Sequence, residues 1–181
     1  MKRITIFALC VFAAVYTVSA QTAPKFGYIN MQEVIFLMDE TDSARVELDK
    51  LSADMQSTYN AMYEELTTKY ATYQQMSANW TPSVLATKEQ ELKDLEARLQ
   101  QYQQNAQMDL SNLQNQLMAP IQQKATEAVS KIAKANGLAG VFEQSVMPYI
   151  DPSQCMNLMD QVRTELGISP DKTLPQAQPQ M

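Results

Sequence analysis

Histidine is absent from this 181-residue chain, and glycine, tryptophan and cysteine number only four, one and two. Without histidine the chain lacks the commonest general base near neutral pH and the commonest neutral metal ligand. The four glycines, Gly27, Gly137, Gly140 and Gly167, all fall at expected element boundaries, which leaves no glycine-rich phosphate loop and no nucleophile elbow. The cysteines form no zinc-binding pair, because Cys10 lies in an N-terminal leader and Cys155 stands alone. A lone thiol makes no internal disulfide, so stability has to come from packing or oligomerisation, and Cys155 reads as a half-buried small apolar residue. The acidic clusters Asp39/Glu40/Asp42 and Glu89/Glu91/Asp94/Glu96 match no calcium-loop spacing and read as solvated helix faces or helix-dipole partners. The expectation is a protein that is not an enzyme and carries no cofactor or metal.

Positive charge is also scarce. Fourteen basic residues face 20 acidic ones. Lys2 and Arg3, the apolar stretch Ile4–Val18 and the small-x-small site Val18-Ser19-Ala20 have the form of a secretory signal peptide, with cleavage expected after Ala20. Its removal leaves 12 basic residues against 20 acidic ones, a formal charge of −8. That balance argues against nucleic acid, which requires a basic footprint, and against docking on anionic lipid. No later run is long and apolar enough for a membrane span, so no stable membrane insertion is expected after cleavage, and the destination is extracytoplasmic.

What the chain has in abundance is an apolar repeat. Leu48, Leu51 and Met55 are followed 11 residues later by Tyr59, Met62 and Leu66, then by Tyr70 and Tyr73. The pattern resumes with Leu95, Leu99, Ala106, Leu110, Leu113, Leu117 and Ile121, then Ala128, Ile132 and Ala135. Steps of three, four and four give about 3.67 residues per turn, so two such helices can lie together almost straight. The expected result is an antiparallel hairpin projecting roughly 55 Å at ~1.5 Å per residue. Its tip falls at Ala78-Asn79-Trp80-Thr81-Pro82, where Thr81 suits an N-cap and Pro82 the first helical position. Pro120 should kink the returning helix opposite the start of the outgoing one, where the hairpin enters a compact base.

The flanking segments change character. Phe26–Asn30 reads as a strand, and Met31–Met38 as a short buried helix. Gly140–Glu143 and Val146–Ile150 read as a β-hairpin around Gln144-Ser145, with Pro148 marking an edge or bulge. Asn157 is placed to cap a last helix that stops at Gly167. The Pro/Gln-rich segment 169–181 reads as a disordered tail. The domain expectation is a signal peptide at 1–20, a body built from 21–41 and 120–168, a hairpin arm at 42–119, and the tail. A body this small is expected to anchor such a lever through self-association at its strand edges. Phe26, Tyr28, Ile29, Val141, Phe142, Tyr149 and Ile150 are the residues expected to build the oligomerisation body. The fold class is mainly α (α+β).

The 12 methionines and 8 tyrosines are the side chains best suited to adaptable binding. Those on the seam pack the two helices. Tyr63, Met108 and Met118 beside the seam, and Trp80 at the tip, are the candidate client-binding residues. The tract Gln100-Gln101-Tyr102-Gln103-Gln104 reads as an uncharged polar helix face.

The segments Lys25-Phe26-Gly27-Tyr28-Ile29-Asn30-Met31-Gln32-Glu33-Val34, Asn136-Gly137-Leu138-Ala139-Gly140-Val141-Phe142 and Tyr149-Ile150-Asp151-Pro152-Ser153 resemble the Skp/OmpH family of periplasmic chaperones. The resemblance covers Lys25 to Leu166. It implies a homotrimer with a shared β-rich body and three helical arms around a cavity. It also implies an ATP-independent periplasmic holdase for unfolded outer-membrane β-barrel proteins. Two features depart from the family pattern. Cys155-Met156-Asn157 stands where an Asp-Ile/Leu-Thr sequence is common. Three mature chains would also carry about −24, whereas the best-known relatives are basic, so no lipopolysaccharide site is carried over. The alternative reading is a periplasmic coiled-coil scaffold or adaptor for one folded partner. Such a spacer favours uniform Leu/Ile seams, whereas this seam is rich in Met and Tyr.

Overall fold

The computed structural model describes residues 24–174, so the expected signal peptide and the end of the tail lie outside the described residues. The chain starts with strand β1 (Lys25–Ile29) and a two-turn helix α1 (Met31–Leu37). A long helix α2 (Asp39–Met76) leads to a short 3₁₀ turn at Ser77–Asn79, and the longer helix α3 (Pro82–Ala135) returns. Strand β2 (Leu138–Glu143), a 3₁₀ turn at Gln144–Val146, strand β3 (Cys155–Asn157) and helix α4 (Met159–Leu166) complete it.

Local chemistry accounts for most of these boundaries. The Asn30 side chain caps α1 by accepting from the Glu33 N–H at 3.1 Å. Thr81 caps α3 through Val84, with Pro82 in the first turn. Gly137 at φ 63° and Gly167 at φ 72° take left-handed conformations after α3 and α4, where any side chain would be strained. Helix α3 is continuous through Pro120. The N-cap of the last helix is Leu158, which offers no capping side chain, and Asn157 one residue earlier accepts from the Met159 N–H at 2.9 Å.

The sheet differs from the sequence expectation. It has the order β2-β1-β3, and both outer strands run parallel to β1. The expected β-hairpin is not formed. Val146 ends a 3₁₀ turn, Met147–Ile150 is irregular, and the third strand is Cys155–Asn157, pairing Phe26 with Cys155 and Tyr28 with Asn157. The physical reason lies at Gln144–Val146. The Glu143 carboxylate accepts from the Ser145 N–H and hydroxyl, which winds the chain into a turn that cannot serve as a two-residue hairpin loop. The other Glu143 oxygen accepts from the Met31 N–H at 3.0 Å, fixing the start of α1 beside the end of β2. With parallel neighbours, β1 and β2 are joined by the whole helical hairpin, which acts as an outsized crossover.

The core sits where the sheet, α1, α4 and the base of the hairpin meet. Val34, Ala125, Leu158 and Val162 are wholly buried, with Ile29, Leu37, Met38, Ala44, Ile121, Ala128, Val129 and Ile168 around them. Gly27 permits this closure. A β-carbon there would lie 2.7 Å from Leu138 Cδ1 and 3.3 Å from Leu158 Cγ and Cδ1. Along the arm, the described seam is half-buried from Leu48 to Leu66 and buried at Leu92, Leu95 and Leu99.

Candidate functional site

The hairpin offers surface rather than a closed pocket. Its helices are joined along the seam by apolar contact and pinned at three heights by polar links. Near the tip, the Tyr73 hydroxyl donates to Glu89 Oε1 at 2.9 Å, and this bond pushes the phenol above its ordinary pKa. Nearby, Lys88 holds the Glu91 carboxyl below the usual carboxylate range, and Lys69 approaches the same carboxylate at 4.0 Å. Midway, the Tyr102 hydroxyl donates to the Met55 carbonyl at 3.3 Å. At the base, Lys124 donates to Glu40 and lowers its pKa.

Two grooves run between these links. The middle one, ≈ 490 Å³, is lined by Met55, Tyr59, Tyr102, Ala106 and Leu110 with glutamine and serine at its rim. It is open because Ala106 supplies no bulk opposite the larger side chains. The lower one, ≈ 530 Å³, lies between Ile35, Phe36, Ala44, Leu48 and Met118, and the Arg45 guanidinium sits 4.7 Å over the Phe36 ring. Tyr102 thus belongs to the seam rather than to a polar face. Counting back four residues from Ala106 and forward three from Leu99 places it there.

The four residues expected to contact clients are not brought to one place. Tyr63 and Met108 are each 55% exposed, and Tyr63 stacks on Tyr59 with ring centroids 6.3 Å apart. Trp80 is half-buried, its ring edge-on to Tyr73 at 5.9 Å. Met118 packs against the body core. Tyr70 and Met76, which were not among the candidates, are also large exposed apolar side chains of the arm. Tyr70 falls in the seam register, and its exposure is not legible from spacing alone.

The residues expected to build an oligomerisation body divide in two. Ile29 is buried within the chain, Val141 packs against the same core, and Phe26 lies 5.4 Å from Phe142 between ring centroids. Tyr28 and Ile150 are half-buried, whereas Phe142 and Tyr149 are exposed, Tyr149 by 74%. Val146, Met147 and Met156 are exposed on the same body. The segment read as a disordered tail begins with contacts of its own: Arg163 donates to the carbonyls of Ser169, Pro170 and Lys172.

A helical arm on a small parallel sheet, with apolar side chains left open along the arm, defines a mainly helical α+β architecture, and no helix among the described residues is long and apolar enough to cross a membrane. The chain belongs to the OmpH-like outer membrane protein family, whose pattern it matches over residues 25–166. Its fold is shared by a crystal structure described as an outer membrane chaperone (OmpH-like) from Caulobacter crescentus CB15. The TM-score is 0.69 at 12% identity, covering 84% of this chain and 88% of that one. No curated protein matches the chain.

Proposed function

We propose that this protein is an ATP-independent periplasmic holdase that binds unfolded outer-membrane β-barrel proteins between the helical arms of a homotrimer. The observation that carries the reading is the set of large apolar side chains left exposed on the arm, Tyr63, Tyr70, Met76 and Met108, within the OmpH-like family and fold. Met and Tyr on such a surface adapt to many partners, because thioethers are flexible and phenols are apolar with one wettable end. Family membership and the leader-like first 20 residues support export to the periplasm. The exposed Phe142, Tyr149 and Met156, with two strand edges, supply the surface for self-association.

The test is aggregation suppression. A urea-unfolded outer-membrane β-barrel protein is diluted into buffer with the mature chain and no ATP, and light scattering is followed across a titration. Suppression saturating near three chains per client is expected. Tyr63→Ser with Met108→Ser should weaken it while helicity stays unchanged. No suppression at any ratio by folded protein refutes the reading and leaves a scaffold or single-partner adaptor.

A further inference from the structure

The hairpin meets the body at one level, and the backbone ladder is thinned there on both sides. On the outgoing side α1 ends at Leu37 and α2 starts at Asp39, with Met38 extended between them at φ −70° and ψ 141°. On the returning side Pro120 lies inside α3, and its missing N–H leaves the Gln116 carbonyl without a helical donor. Glu40, Ser43 and Ala44, in the first turns after the break at Met38, line the same cleft as Gln116 and Pro120. Helices bend at such sites.

A third piece of chain crosses this level from the body. Beyond α4, Ile168 is buried in the core. The Arg163 guanidinium then gathers the carbonyls of Ser169, Pro170 and Lys172 at 2.6, 3.1 and 2.8 Å. From that held backbone the Lys172 ammonium reaches the first turn of α2, donating to Asp39 Oδ1 at 2.6 Å and Asp42 Oδ2 at 2.7 Å. Leu174 lies beside Phe36 of α1. A lone surface ion pair contributes little, mainly because two flexible side chains must be ordered to make it. Here one ammonium bridges two carboxylates of a rigid helix turn, and its own backbone is already fixed.

We propose that Ile168–Leu174 is a strap that sets the angle between hairpin and body, and that detaching Lys172 from Asp39 and Asp42 frees the hairpin to bend at Met38 and Pro120. The arm is a lever of ~57 Å at 1.5 Å per residue, so a swing of about 10° moves its tip on the order of 10 Å. The strap therefore governs where the tip stands relative to the body, whether or not the hairpin grips a client.

The test reads that distance directly, in the full mature chain without client. Single-molecule energy transfer is measured between dyes on Ser83→Cys near the tip and Gln154→Cys on the body, in a Cys155→Ser background. Labelled chain is diluted among unlabelled chain. Lys172→Glu should broaden the distance distribution, while Lys172→Arg keeps it narrow. Exchanging Asp39 and Asp42 for Lys in the Lys172→Glu chain should narrow it again. An unchanged distribution in a folded Lys172→Glu chain overturns the proposal. If that variant loses helicity, the parent in about 1 M salt gives the second reading, because screening weakens the same bridge. Widening there supports the strap, and an unchanged distribution overturns it.

Discussion

Replacing Gly27 with alanine tests how tightly the body is closed. Gly27 is buried in the central strand, and the added methyl would sit 2.7 Å from Leu138 Cδ1 and 3.3 Å from two atoms of the wholly buried Leu158. Overpacking of this kind costs about 1–3 kcal/mol. The loss of glycine's freedom in the unfolded chain offsets about 0.4–1 kcal/mol, since no left-handed backbone forbids alanine here. The expected net destabilisation is about 0.5–2 kcal/mol. The closest clash is with one side-chain terminus, so a second substitution should relieve it. In a Leu138→Ala background, Gly27→Ala should be neutral or slightly stabilising, giving a coupling of about 1–2 kcal/mol between the two sites. Urea unfolding followed by circular dichroism, at one fixed protein concentration, measures all four corners of the cycle. Equal costs of Gly27→Ala in both backgrounds would refute the packing account, as would stabilisation in the parent.

Three further outcomes are expected. Asn157→Ala removes the acceptor for the Met159 N–H and should lower stability by about 0.5–2 kcal/mol, read in the same urea assay. The Lys172 bridge should stabilise over a bounded pH range. Lys172 holds the Asp42 carboxyl below its ordinary pKa, so that contribution is lost as pH falls through the acidic carboxylate range. Asp39 and Asp42 raise the Lys172 pKa, so the contribution is present at neutral pH and lost as pH rises past the ordinary lysine range. Arg45, 3.9 Å from Asp42, shares that carboxylate. Melting temperatures of parent and Lys172→Ala across pH should therefore converge at both extremes, and a constant gap would count against the bridge. Trp80, the chain's one tryptophan, packs edge-on against Tyr73, so Tyr73→Ala should shift its emission to longer wavelength without loss of helicity.

The long elements were legible because their signals are repeated or local. The 11-residue pattern, Thr81-Pro82 and Gly137 each specify their own place in the hairpin, and Gly167 marks the end of the last helix. Two strands of the sheet, at Phe26–Ile29 and Gly140–Glu143, were legible as well, but the third strand was not, and the reason is length. Cys155–Asn157 has three residues, too few for any periodicity, and its strand character comes from pairing with β1 across more than a hundred residues of chain. Val146–Ile150 has the composition of a strand, but Glu143 turns the chain before it can pair. The candidate binding residues were placed on the arm by spacing. Spacing alone could not separate Met118, which serves the core, from Met108, which faces solvent, because that depends on where the body closes around the helix.

Placing the entire hairpin between two neighbouring parallel strands also has a consequence for how the chain reaches its native state. Lys25 must find Leu138 across about 110 residues of intervening sequence. Closing a flexible loop of that size costs roughly 2 kcal/mol more entropy than closing one of about ten residues. Zipping from the Trp80 turn removes most of that difference. Each added helical turn draws the two sheet-forming ends together, until β1 and β2 are separated in space by little more than the width of the helix pair. The sheet is thus expected to assemble last, and changes near the tip should slow folding, whereas changes in the strands should mainly hasten unfolding.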